Sequence, residues 1–381
     1  MKKLMLYSVL MAAVFISVIP CSAIAADSEV LFSVNSSNGS PLFVFCGEID
    51  VGDEYIAQDN SLYRVSSVSG NTAVAEKIGD EPMPDVSWLQ TGEAQPVFFN
   101  LSLPVSSGTE TSKLIAMYVT HSDESYIPSD GTESINGQGG IYDVARSFRD
   151  ELQALGVDVI LDESTHLPHD AGAYRRSRQT AERLLQKRPD AIIDIHRDGI
   201  PDESEYTCTI DGENASQVRL LVGRSNQNSA VNREFAKQIK AVADRQYPGL
   251  IKDIFIGKGN YNQDLSPNAI LLEFGTHTLS KERALESTEM MANVVSTTLF
   301  GSQTGSAKAE KDSDAAVARK KEEAKGAGSG IAWLLIAALI GIVLFAAVQT
   351  GSVKGMTRKI KRSASELTGG LIGKKKNTPD S

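Results

Sequence analysis

The chain has 381 residues, 41% of them aliphatic or aromatic and 23% charged, with a formal net charge of -10. That length suggests two folded units plus extras, and the apolar share is enough for packed cores. The acidic excess repels phosphate backbones, which excludes nucleic acid as a partner of the folded part. Three cysteines without a CxxC pair exclude a disulfide scaffold and a Cys-rich zinc site; Cys46 and Cys208 could pair, but read rather as two buried thiols.

In chain order, Lys2 and Lys3 precede an apolar run at 4–19, followed by Pro20 and Ala23-Ile24-Ala25-Ala26. This is the pattern of a secretory signal peptide, 1–25, cleaved after Ala25. Residues 28–105 form a small β-rich unit, with short alternating runs such as Leu42-Phe43-Val44-Phe45 broken by Gly-Asp, Asp-Asn and Gly-Asn pairs. From 113 to 300 the pattern becomes strand–helix–strand. A buried strand at 113–120 ends at His121, and Val144, Phe148, Leu152 and Leu155 mark a helix closed by Gly156. A strand at 157–161, a helix at 170–187 and a strand at 191–195 ending at His196 follow. After a β-rich insertion at 206–223 come a helix at 230–246, a strand at 269–272 ending at Glu273, and a helix at 281–300. The alternation predicts an α/β fold with a mainly parallel sheet flanked by helices.

Residues 301–330 are rich in Ala, Lys, Glu, Gly and Ser and read as a flexible charged tether. The span 326–353 has no charged residue, and its core at 331–348 is long enough for one transmembrane helix. Behind it, 354–381 carries eight Lys or Arg against Glu366 and Asp380, which keeps this tail in the cytoplasm by the positive-inside rule. The expected topology puts 27–300 outside the cell membrane, facing the wall.

His121, His196 and Glu273 stand where apolar strands stop, the end at which open α/β sheets bind ligands. Glu124 follows His121 by three residues, so a turn there brings both side chains to one side. His121, Glu124 and His196 then make a two-histidine, one-carboxylate zinc site, and Glu273 a proton carrier beside it. His166 and His169 read as solvated loop residues. His277 reads equally well as a neighbour of the site and as a surface residue. Asp194 and Asp198 are candidates to orient His196, and Arg197 to meet a substrate carboxylate.

The stretches THSDESY at 120–126, IIDIHRDG at 192–199, NQDLSP at 262–267 and ILLEFGTHT at 270–278 resemble signatures of the stage II sporulation protein P family. So does Tyr174 with Ser177-Arg178, and the front stretches at 51–60 and 70–79 are similar to the front of some members. The resemblance covers about 40–300. It implies a zinc-dependent wall hydrolase that cuts the amide between N-acetylmuramic acid and L-alanine, and peptide crosslinks as well. It carries the metal positions to His121, His196 and Glu124, and the catalytic glutamate to Glu273. It also implies a glycan-cleaving stage II sporulation protein D-like partner and a protein M-like membrane scaffold. Familiar members hold their membrane segment near the amino terminus, whereas here it lies at 331–348. Two other functions fit the residues: a zinc carboxypeptidase of wall peptides, with Arg197 as clamp, and a non-catalytic wall-binding protein.

Overall fold

Strand alternation decides which side chains meet which layer. The computed structural model describes residues 30–91, 113–170 and 172–301. The expected signal peptide, membrane helix and basic tail lie outside them, as does the tether beyond Gly301. Among the described residues no helix is long and apolar enough to cross a membrane.

The front contributes β1 (Leu31–Ser36), β2 (Pro41–Cys46), β3 (Glu54–Ile56), β4 (Ser61–Ser69) and β5 (Thr72–Asp80). The expected punctuation holds: Gly70-Asn71 is a two-residue turn between β4 and β5, and Asn60 takes a left-handed φ of 67° between β3 and β4. The second part supplies β6 (Leu114–Tyr118), β7 (Asp158–Asp162), β8 (Ala191–Asp198), β9 (Thr207–Ile210), β10 (Glu213–Ser216), β11 (Val218–Gly223), β12 (Ile251–Gly257) and β13 (Ala269–Thr276). Its main helices are α1 (Ile141–Ala154), α2 (Ala173–Leu185), α3 (Ser229–Gln246) and α4 (Lys281–Phe300).

Eleven strands join in one mixed α/β sheet, in the order β2-β1-β5-β4-β3-β12-β11-β13-β8-β6-β7, while β9 and β10 pair as a separate hairpin. From β13 through β8 and β6 to β7 the pairing is parallel, as the alternating pattern predicts; β11 departs from it by running antiparallel to β13. Sequence reading also passes over β12, which is the strand that β3 joins edge to edge, Ile254 opposite Ile56. The β-rich front therefore continues the same sheet. Arg233 bridges Glu54 and Glu81, Lys237 reaches Glu81 and Arg224 reaches Asp53, so an ionic seam runs beside the strand pairing.

The two faces of the second part differ in chemistry. Ile115, Met117, Ile193, Ile195, Leu220, Val222, Ile254, Ile256, Ile270 and Leu272 share one apolar core with Phe148, Phe235, Met291 and Val295 from the helices. The side chains between them point the other way. There Ala116, Tyr118, Ile192 and Ala269 pack on Ala181 and Leu184 of α2, while Leu221, Phe255 and Leu271 pack on Phe43, Phe45 and Tyr55 of the front strands. The same face carries Asp194, His196, Arg219, Asp253 and Glu273, all buried.

Candidate active site

Register turns those alternate positions into a row. Asp253 on β12 lies opposite Arg219 on β11, Arg219 opposite Glu273 on β13, and Glu273 opposite His196 on β8. Four adjacent strands thus line up acid, base, acid and imidazole. The row borders a cleft of about 530 Å³ lined by His121, Glu124, His169, Tyr174, His196 and Glu273, with Phe45 and Cys46 of β2 also in its lining.

The loop after β6 brings in the remaining donors. Glu124 N donates to His121 O at 3.2 Å, closing the turn that sets both side chains side by side. Ser122 O receives Gly139 N, and the Arg197 guanidinium donates to the carbonyls of Ser125 and Glu133. A Cβ on Gly139 would fall 2.2 Å from Glu124 O, so only glycine allows this approach. Glu124 Oε1 sits 3.0 Å from His121 Nδ1 and 3.2 Å from His196 Nδ1, and Glu124 Oε2 accepts from Arg197 N at 2.9 Å. One donor atom from each of His121, Glu124 and His196 lies within 4.8 Å of the others. The imidazoles and Arg197 hold the buried Glu124 carboxylate well below its usual range, despite the cost of desolvation. Burial alone would lower His196, but Asp194 and Glu124 on either side raise it well above the ordinary imidazole value. His121 is lowered by burial, which outweighs its bond to Glu124. Two nitrogens and one carboxylate oxygen, close and with the carboxylate ionised, are a donor set that fits zinc.

Of the two candidate orienters, Asp194 is the one beside the imidazole: its Oδ1 lies 3.1 Å from His196 Nε2. Thr120 holds that carboxylate by N and Oγ1, at 2.9 and 2.6 Å. Asp198 points instead to Arg219 and Tyr206. Arg197, expected to meet substrate, spends its guanidinium on loop carbonyls. His166 and His169 part company, and neither is the solvated residue expected. His166 is a buried brace, with Nδ1 on Val119 O and Nε2 on Thr180 Oγ1. His169 stacks on His121 at 3.9 Å between centroids, its Nδ1 on Asp123, and lines the cleft. His277 lies past the bulge, its Nδ1 3.5 Å from Thr276 Oγ1. Cys46 and Cys208 form no disulfide, and burial pushes the Cys208 thiol up to about 11.

Glu273 is 8% exposed and belongs to a network that sequence reading misses. The Tyr206 hydroxyl is 2.6 Å from Asp198 Oδ2 and 3.0 Å from Glu273 Oε2. Arg219, fully buried, donates to Asp198 and to both oxygens of Asp253. Burial and the Asp198 charge hold Glu273 well above the usual carboxyl range. Arg219 favours the charge on Asp198 over that on Glu273, because its Nη1 is 2.7 Å from Asp198 but 3.7 Å from Glu273. The Tyr206 hydroxyl thus stands between the two carboxyl groups, within donating distance of an oxygen of each. Beyond Glu273 the register shifts, and Gly275 takes a φ of 73° in the bulge.

Three of the sequence blocks meet here. Tyr174 stacks over His196 with centroids 6.2 Å apart and meets His121 edge-on at 5.5 Å. Asn262 donates to Tyr174 O and Ser177 Oγ, and Arg178 grips Asp264 with two bonds of 2.8 Å.

Among known proteins, stage II sporulation protein P of Bacillus subtilis (strain 168) is 29% identical over 191 residues, 45% of this chain and 47% of that protein. The chain therefore spans about half the length of that curated relative. Among solved structures, N-acetylmuramoyl-L-alanine amidase AmiC2 of Nostoc punctiforme matches at 14% identity and a TM-score of 0.33, covering 50% of this chain and 97% of that one. The CwlD amidase of Clostridioides difficile, solved with the GerS lipoprotein, matches at 14% identity and 0.30, covering 49% and 95%. A family model, that of stage II sporulation protein P, matches residues 54–296, from the first residue of β3 almost to the end of α4. The chain belongs to the stage II sporulation protein P family.

Proposed function

We propose that this protein is a zinc-dependent peptidoglycan hydrolase that cuts the amide between N-acetylmuramic acid and L-alanine, and peptide crosslinks as well. The observation that carries this reading is the convergence of His121, Glu124 and His196 beside a buried Glu273 in one cleft. His121, Glu124 and His196 would hold the metal, with Asp194 fixing the His196 ring. When bound, zinc supplies a Lewis acid that polarises a carbonyl and acidifies water. Glu273, whose carboxyl burial and the Asp198 charge raise above its usual range, would in its ionised form take a proton from the attacking water and return it to the leaving amine. Phe45 and Cys46 of β2 form one wall of the cleft.

The carboxypeptidase reading loses its clamp, since the Arg197 guanidinium is bonded to the carbonyls of Ser125 and Glu133. Its remaining prediction is release of single terminal residues. Digestion of purified muropeptides separates the two: free stem peptides with bare glycan support the amidase, and shortened stems on intact glycan would overturn it. We further propose a membrane-held enzyme facing the wall, a reading supported by the basic start and apolar run at 2–19 and by the uncharged span 326–353 followed by a basic tail. The family membership supports a stage II sporulation protein D-like glycan-cleaving partner and a protein M-like scaffold. Protease added to intact protoplasts should digest 27–300 and spare the tail; the reverse would overturn this topology.

A further inference from the structure

Tyr206 is completely buried, yet it lies just ahead of β9, outside the main sheet, and its hydroxyl reaches across to β8 and β13. Nothing in the steps proposed above requires it. Its ring faces the Arg219 guanidinium at 5.8 Å, and Phe45 of β2 covers the same guanidinium at 5.4 Å. Val44 O, also on β2, accepts from Arg219 Nη2 at 3.3 Å. Arg219 is thus held in place by the front strands, by Asp253 and by Tyr206, and it fixes Asp198 in turn.

We propose that Tyr206 is a positioning residue for Glu273: its hydroxyl, anchored on Asp198 and Arg219, holds the Glu273 carboxyl in one orientation toward the cleft, and Phe45 of the front strands completes that anchor. The inference rests on the proton-transfer reading of Glu273. A carboxyl on a flexible side chain can turn about its last bond, and each turn away from the reacting atoms costs turnover. A hydroxyl bonded at once to a fixed carboxylate and to Glu273 removes that freedom. The fixed carboxylate cannot drift, because Arg219 binds it at 2.7 Å and is itself bound on three other sides. The front strands therefore share in the site without touching the reacting bond.

Tyr206→Phe removes one oxygen and keeps the ring. In the zinc-loaded full chain acting on purified muropeptides, it should lower kcat about 10-fold with KM within about two-fold and metal content unchanged. The decisive measurement is the double variant. If Tyr206 acts through Glu273, then Tyr206→Phe added to Glu273→Gln causes no further loss beyond about two-fold, because the group it positions is already gone. Phe45→Leu, which leaves the hydroxyl and all three carboxylates in place, should lower kcat about two- to five-fold and likewise lose its effect in the Glu273→Gln background. Unchanged kcat in Tyr206→Phe with Glu273→Gln inactive, a loss confined to KM, or multiplication in the double variant would each overturn the inference. If Glu273→Gln itself turns over normally, the proton-transfer reading has failed instead. Should Tyr206→Phe not fold, Phe45→Leu and its double variant decide the question by the same two outcomes.

Discussion

The sheet from β12 to β6 shows two faces built from the same strands, and they are organised by opposite rules. One face buries Ile, Leu, Val and Met against α1, α3 and α4. Its residues are interchangeable in kind, and each contributes by the apolar area it removes from water. The other face buries Asp253, Arg219, Glu273, His196 and Asp194 in register, where each residue depends on the identity of its neighbour. Charges placed there are stable only as a set, since removing one partner leaves the next uncompensated. The helical face supplies folding free energy; the polar face uses some of it to hold groups that water would otherwise solvate better.

Substitutions should separate the two faces, and metal binding should separate them most. His121→Ala and His196→Ala each should weaken zinc binding by well over 100-fold, the upper worth of an outer-shell partner, while the domain still melts cooperatively. Stoichiometric zinc at wild-type affinity in either variant would remove the ligand assignment. Next in size, Glu273→Gln should lose roughly 10²–10⁴-fold in kcat and retain both metal and wall binding. Loss of metal in this variant would make Glu273 a ligand. On the opposite face, Phe235→Ala should destabilise by about 3–5 kcal/mol in a denaturant melt, with kcat per folded molecule unchanged. A large kcat effect there would mean that the faces are not separable.

The smallest effect concerns the same glutamate seen from the side of stability. The folded protein holds Glu273 above its usual range, so folding takes up a proton between the unfolded value and the raised one. Stability from this group is therefore fully present below about pH 4, the unfolded value, and is lost as pH rises toward the folded one. In metal-free protein, Glu273→Gln should gain about 0.5–2 kcal/mol at neutral pH and nothing below about pH 4. A gain that is equal at both pH values would refute the raised carboxyl.

How much of this was legible in the sequence follows from the same contrast. His121, His196 and Glu273 can be read because each ends an apolar run, and Glu124 because one turn joins it to His121. The helix at Ile141–Ala154 is legible from spacing, since Val144, Phe148 and Leu152 face one core. Arg219 and Asp253 are illegible one strand at a time. In IKDIFIG, Lys252-Asp253 interrupts the apolar pattern, and Asp253 becomes a tolerable interior residue only once Arg219 stands opposite on another strand. Tyr206 and His169 are missed for a related reason: both sit in polar surroundings along the chain and become buried or stacked only through residues far away in sequence. A charged residue at an alternate position of an otherwise apolar run is the signal that finds such a row.

The join between β3 and β12 has a consequence for the integrity of the chain. Were the front strands cut away, β12 would become the edge of the sheet, exposing the amides and carbonyls that now bond Glu54, Tyr55 and Ile56. Ile254 and Ile256 flank that edge, and a bare apolar edge recruits strands from other molecules. The short strand β3 thus acts as a cap against self-association, quite apart from anything it does near the cleft.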